Sequence, residues 1–245
     1  MHRNIRLEIE NDYAAMSQKG AQIFAKAIKE HPQGAFGFAT GDTPIGLYQE
    51  LIRMHKEEGL DFSGVTTFNL DEYYPISRES EHSYYYFMYQ NLFGQINVNP
   101  PNIFIPDGSA KDPKSESDAF ESKIDSSGGI VMQILGIGMN GHIGFNEPSQ
   151  SFEAYTRHVP LAEMTVNSNA KHFSNPDEMP LHAITMGIRT IMMAKHILLL
   201  ASGAAKGAIL RDALLGPITP LVPASALQLH PSVIVVADKE AAALL

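Results

Sequence analysis

Residues 130–148 read IVMQILGIGMNGHIGFNEP. Residues 130–137 are almost wholly apolar, as expected of a strand covered on both faces in a parallel sheet. The run then passes into glycines at 136, 138 and 141, with His142 and Glu147 following. A turn needs the glycines. It needs neither an imidazole nor a carboxylate, and why this strand end carries both is the question the stretch raises.

Working outward, the same kind of run recurs at 5–9, 35–39, 65–70, 102–105, 196–201 and 232–237. Helical spacing fills most of the gaps. In 12–30, Met16, Ile23 and Ala27 share a face with Phe24 and Ile28 beside them. Residues 44–59 follow, with Thr43 expected to cap and Pro44 to take the first helical position. Further helices are expected at 115–124, 181–194 and 204–215, and a loop at 175–180. Strands alternating with helices predict βαβ units, hence one α/β domain over 1–245 with a mostly parallel sheet.

Composition bounds the function. The chain has 245 residues, 44% of them hydrophobic and 18% charged, with a formal charge of −9. That charge disfavours nucleic acid and anionic membrane as partners. Cysteine is absent, so neither disulfides nor thiolate chemistry enter. The start MHRNIRLEIE lacks the apolar stretch of a secretory signal, and HILLLASGAAKGAIL (196–210) is broken by Lys206. A cytoplasmic protein is expected.

In an open α/β sheet ligands bind beyond the carboxyl ends of the strands. Four segments lie there: TGDTP (40–44), DEYY (71–74), GMNGHIGFNEP (138–148) and SGAAK (202–206). TGDTP opens a helix, where free N–H groups suit a phosphate. Gly41 allows close approach and Thr43 offers a hydroxyl, but Asp42 is an awkward neighbour for an anion. Taken alone, the segment is equally a glycine turn. Asp71 or Glu72 suits a general base, though a lone acidic turn does as well. His142 and Glu147 form an oriented imidazole–carboxylate pair on one reading and a capped turn on the other. Gly136, Gly138 and Gly141 match GxGxxG, but the proline-bearing HIGFNEP is not the helix a dinucleotide site requires. No metal site is expected, because no second histidine stands in HExxH spacing.

Five separated stretches, FATGDTPIGLYQEL (38–51), VTTFNLDEYY (65–74), HSYYYFM (82–88), LGIGMNGHIGFNEP (135–148) and LQLHPSVIVVAD (227–238), resemble the glucosamine-6-phosphate deaminase (isomerase) family in order and along nearly the whole chain. The resemblance implies an open Rossmann-like α/β/α sheet with a lid around 160–182. It implies conversion of glucosamine 6-phosphate and water to fructose 6-phosphate and ammonia, without cofactor or metal. It assigns ring opening to His142, held by Asn140 and Glu147, and the base at C2 to Asp71. Phosphate falls to Thr40, Gly41, Asp42, Thr43, Lys206 and Lys171.

Departures from the family pattern sharpen the expectations. Lys171 stands where many members carry Arg, which loses the bidentate fork. Asp42 and Arg189 replace smaller residues, and their joint appearance suggests an ion pair beside the phosphate loop. Arg157 matches members activated by an acetylamino-sugar phosphate, but Val159 replaces their Lys, so no such activation is expected. Three alternatives remain open: the galactosamine variant of the same reaction, a 6-phosphogluconolactonase, and a sugar-phosphate sensor domain. Asp71 and the FNEP ending fit the lactonase less well. A sensor is expected to have lost the acid/base set.

Overall fold

The computed structural model describes residues 4–169, 173 and 179–245. Seven strands build the main sheet: β1 (Ile5–Glu10), β2 (Ala35–Phe38), β3 (Thr66–Asn69), β5 (Ile103–Phe104), β6 (Ile130–Leu135), β9 (His196–Ala201) and β10 (Val233–Asp238). Their order is β1-β10-β9-β6-β2-β3-β5, and every pairing is parallel. The α/β class read from the alternation is the observed one. Every residue of β6 is buried, which is why 130–135 carries no polar–apolar alternation. Its one polar residue, Gln133, donates to Ile134 O at 2.8 Å and lies against Gly37 of β2. A Cβ at 37 would stand 1.8 Å from Gln133 Oε1, so a larger residue there would have to displace the buried Gln133 amide.

The helices are α1 (Tyr13–Glu30), α2 (Ile45–Glu58), α3 (Tyr84–Asn91), α4 (Pro113–Ser126), α5 (Glu163–Asn169), α6 (Ile188–Met192) and α7 (Gly207–Leu215). Asp12 caps α1 by accepting the Ala15 N–H at 2.9 Å. The expected cap of α2 is not made. Pro44 itself is the N-cap residue, and no side chain bonds the first turn. Instead Tyr13 pins that turn, accepting the Gly46 N–H at 2.8 Å and donating to Asp42 O at 3.1 Å.

A second sheet was not anticipated. β4 (Asp71–Tyr74), β8 (His182–Thr185) and β7 (Arg157–Pro160) pair antiparallel in the order β4-β8-β7. The helix expected over 181–194 is therefore wrong in its first half. Residues 182–185 are a strand because β4 and β7 bond both its edges, and the helix starts only after Gly187. That glycine is required, since a Cβ there would lie 2.3 Å from Ala154 O. Tyr73, Phe145, Val159, Phe173, Met179 and Ala183 form a small core of their own beneath this sheet.

From β2 the chain runs outward to β3 and β5. It returns on the other side of β2 as β6 and continues to β9 and β10. The connections leaving β2 and β6 thus diverge between two neighbouring strands. Such a switch point leaves a crevice at the strands' carboxyl ends.

Candidate active site

One cavity of about 370 Å³ fills that crevice. Residues 39–44 after β2, Leu70 and Asp71 after β3, 136–139 after β6, and Lys206 after β9 line it. His142, Gly144 and Phe145 close one wall, Tyr84 another, and Met164 and Thr165 of α5 stand at its edge. Thr40, Gly41, Asp42, Thr43, Asp71, His142 and Lys206, singled out in the sequence, thus share one space. Asn140 and Glu147 sit directly behind His142. Lys171 lies outside the described residues, as does most of the loop expected at 175–180 and part of the 160–182 segment.

The imidazole is fixed from behind. His142 Nδ1 lies 2.8 Å from Asn140 Oδ1 and 3.3 Å from Glu147 Oε1. Asn140 Nδ2 donates to Glu147 Oε2 at 2.6 Å, which settles the amide's orientation. Both atoms facing Nδ1 are acceptors, so Nδ1 carries a proton, and in the neutral ring the lone pair is the one on Nε2. Nε2 has no protein partner among the described residues. Thr165 Oγ1 donates to Glu147 Oε1. Burial pushes the Glu147 carboxyl up, but His142, Thr165 and Asn140 outweigh it and hold the group below the usual range. The ring lies flat against Gly138, where a Cβ would stand 2.2 Å from His142 Cε1.

Asp71 is the opposite case. It begins β4, is 5% exposed, and accepts no hydrogen bond among the described residues. Burial, with the Glu72 charge beside it, pushes its carboxyl up to about 8. Glu72 points away from the cavity and is 1% exposed. It accepts the N–H groups of Tyr73 at 2.9 Å, Tyr84 at 2.8 Å and Tyr85 at 2.9 Å. Burial pushes Glu72 up to about 7 against those bonds, which favour its charge. With donors on Glu72 and none on Asp71, Glu72 ionises first and Asp71 keeps the proton.

The third corner is cationic. Lys206 follows the bend at Gly203 (φ +88°), which Asp238 holds by accepting the Gly203 N–H at 2.9 Å. Its Nζ donates to Ile137 O at 2.7 Å, half-buried, and burial lowers the ammonium's pKa. It faces the 40–43 loop, where Gly41 has φ +103° and a Cβ would meet nothing within 4 Å. Lysine and backbone N–H groups converging on one cavity can hold a phosphate as a point charge plus dipoles.

Two polar lining residues escaped the sequence reading. Tyr84 sits in the quoted HSYYYFM cluster, which was a signal with no role attached. Thr165 had no signal. The Asp42–Arg189 ion pair is not formed: Arg189 lies over the Tyr155 ring at 4.9 Å, and no ion pair joins it to Asp42 among the described residues. Arg157 donates to Asn146 Oδ1 at 2.9 Å, tying β7 to the loop behind His142, while Val159 is buried in the small core.

The family model for glucosamine-6-phosphate isomerases/6-phosphogluconolactonase matches residues 10–235. The chain belongs to that family. Within it, the chain is 50% identical over 241 residues to a glucosamine-6-phosphate deaminase of Clostridium botulinum (strain Loch Maree), covering 98% of this chain and 99% of that one. A glucosamine-6-phosphate deaminase of Thermoanaerobacter pseudethanolicus is 48% identical, with 98% and 95% covered. Among solved structures of the family, a monomeric glucosamine-6-phosphate deaminase superimposes with a TM-score of 0.95 at 45% identity, covering 98% of this chain and all (100%) of that one. The 6-phosphogluconolactonase of Trypanosoma brucei shares the fold, with a TM-score of 0.76 at 19% identity over 100% of both chains.

Proposed function

We infer that this chain is a glucosamine-6-phosphate deaminase, converting glucosamine 6-phosphate and water to fructose 6-phosphate and ammonia. The near-full-length likeness to two such deaminases supports it. The observation that carries the chemistry is the single cavity joining an anion corner, an oriented imidazole and a buried carboxyl. The sugar's phosphate is held by residues 40–43 and Lys206. His142 Nε2 takes the anomeric proton and returns one to the ring oxygen as the C1–O5 bond breaks, with Asn140 and Glu147 keeping the ring aligned. Asp71 then removes the C2 proton from the open aldehyde. The enolamine is protonated at C1, and water hydrolyses the ketimine to ketone and ammonia.

The raised pKa of Asp71 suits this order. A substrate ammonium at C2 puts a positive charge beside Asp71, and its arrival draws the carboxyl into the charged form. We read 160–182 as a lid over one domain, with Met164 and Thr165 of α5 as its cavity-facing part. The partner is a small sugar phosphate rather than nucleic acid or membrane, and the setting is cytoplasmic. The net charge of −9 supports the first point. Among the described residues no helix is long and apolar enough to cross a membrane.

The test offers purified protein glucosamine 6-phosphate, galactosamine 6-phosphate and 6-phosphogluconolactone in parallel. Ammonia and ketose phosphate from the first are expected. Ammonia from neither amino sugar overturns the reading, and release from galactosamine 6-phosphate alone moves it to the C4 epimer.

A further inference from the structure

We propose that the imidazole corner of this cavity has an activity of its own: it interconverts the anomers of hexose 6-phosphates bearing a hydroxyl rather than an amine at C2, such as glucose 6-phosphate, and releases them otherwise unchanged. The inference rests on the sugar-phosphate reading of the cavity.

The three corners are built independently. The loop at 40–43 and Lys206 address only the phosphate, which neutral and amino sugars share. His142 lines the cavity and takes its orientation through Nδ1 from Asn140 and Glu147, which leaves Nε2, without a protein partner among the described residues, as the nitrogen that can meet a sugar. None of these contacts draws on a substrate amine. Ring opening needs only what that corner supplies. The anomeric hydroxyl loses its proton to Nε2, the C1–O5 bond breaks, O5 takes a proton back, and C1 becomes an aldehyde. Rotation about C1–C2 and closure by the reverse steps gives the other anomer. Nothing is oxidised or reduced, and no co-reactant is consumed.

The next step is where the amine counts. Asp71 lies in the wall with no hydrogen-bond donor among the described residues and with Glu72 as its charged neighbour. Without a cation beside it, a carboxyl in that setting is mostly protonated near pH 7 and is seldom free to take the C2 proton. A C2 hydroxyl brings no charge. The neutral sugar therefore opens, turns and closes, and its C2–H bond survives. On this account the site discriminates amino from neutral sugars at the second proton transfer, not at binding or ring opening.

Exchange spectroscopy on α- and β-glucose 6-phosphate in deuterated buffer tests this. The enzyme should accelerate exchange at least about tenfold over buffer, a modest share of what a positioned acid–base group supplies. His142→Gln should fall to the buffer rate. So should wild-type enzyme saturated with 1,5-anhydroglucitol 6-phosphate, which fills the cavity but has no anomeric hydroxyl, so the test does not hang on one variant. No deuterium should enter C2 and no fructose 6-phosphate should form. Exchange at the buffer rate with wild-type enzyme, or exchange that survives the anhydro sugar, overturns the proposal. Fructose 6-phosphate from glucose 6-phosphate overturns the discrimination by Asp71. Ammonia release from glucosamine 6-phosphate, assayed on the same preparation, reports separately on the deaminase reading: exchange without ammonia sinks that reading and leaves this one standing.

Discussion

Glu72 accepts the backbone N–H of Tyr84 at 2.8 Å, and that bond joins the strand carrying Asp71 to the first turn of α3. The N–H groups of Tyr73 and Tyr85 complete its shell. The same carboxylate thus caps a helix whose first residue lines the cavity and sets a tethered charge one residue from the proposed base.

Glu72→Gln separates these two effects. The base works only when unprotonated, so kcat/KM rises with pH through the apparent pKa of the Asp71–Glu72 pair. Burial is the larger cause of the raised Asp71 value and Glu72 the smaller. Removing the charge should move the acid limb of the profile to lower pH without restoring an ordinary carboxylate. The amide also turns its NH₂ toward a backbone donor, costing about 1–3 kcal/mol in urea unfolding. Lost stability with an unmoved acid limb would leave Glu72 a helix cap and nothing more.

Gly138→Ala tests the imidazole's seat. The new Cβ would stand 2.2 Å from His142 Cε1, so the ring must swing away. A displacement of about 1 Å can cost roughly 10²-fold in rate. The phosphate corner is untouched, so kcat should fall by that order while KM stays within about threefold, in steady-state ammonia release. Wild-type kcat would mean the ring's position against Gly138 is irrelevant to turnover.

Lys206→Ala should do the reverse. The ammonium touches phosphate in ground and transition states alike, so uniform binding is lost: KM rises and kcat holds. For a desolvated charge pair the loss is ~2–4 kcal/mol in kcat/KM. Lys206 is only half-buried, which points to the lower end. An unchanged KM would return this lysine to the role of tethering Ile137.

How much of this was legible can be judged strand by strand. The runs at 130–137, 196–201 and 232–237 announced themselves because central parallel strands are buried on both faces and lose polar alternation. HAIT at 182–185 did not. Its local pattern continues into a helical one, and only pairing with β4 and β7, distant in sequence, makes it a strand. The site divides the same way. Asp71, His142, Lys206 and the 40–43 loop follow main-sheet strands, where topology alone directs ligands. Tyr84 and Thr165 enter from α3 and α5, outside that rule. The Asp42–Arg189 pair failed because two unusual residues of opposite sign carry no information about distance.

Asp71→Asn makes a prediction in which activity and stability move in opposite directions. The folded-state pKa of Asp71 stands at about 8, above the ordinary carboxylate value it has when unfolded. A folded state that holds the proton more tightly is favoured where that proton is present. Below about pH 4 both states are protonated and the aspartate carries no penalty. As pH rises from there toward 8, the unfolded chain ionises freely while the folded one must bury a charge, so stability falls. Above 8 the penalty is complete. Asparagine fills the same space and never ionises. The variant should therefore match wild type at about pH 4 and below and exceed it by a few kcal/mol at pH 9, since a tenfold difference in proton affinity between folded and unfolded chains is worth about 1.4 kcal/mol. Ammonia release should fall ~10²–10⁴-fold over the same range, the usual share of a lost general base. Urea unfolding of both proteins from pH 4 to 9 reads the first effect. A stability difference independent of pH would show that Asp71 is ionised throughout, and the account of a base held protonated until the amino sugar arrives would fall with it.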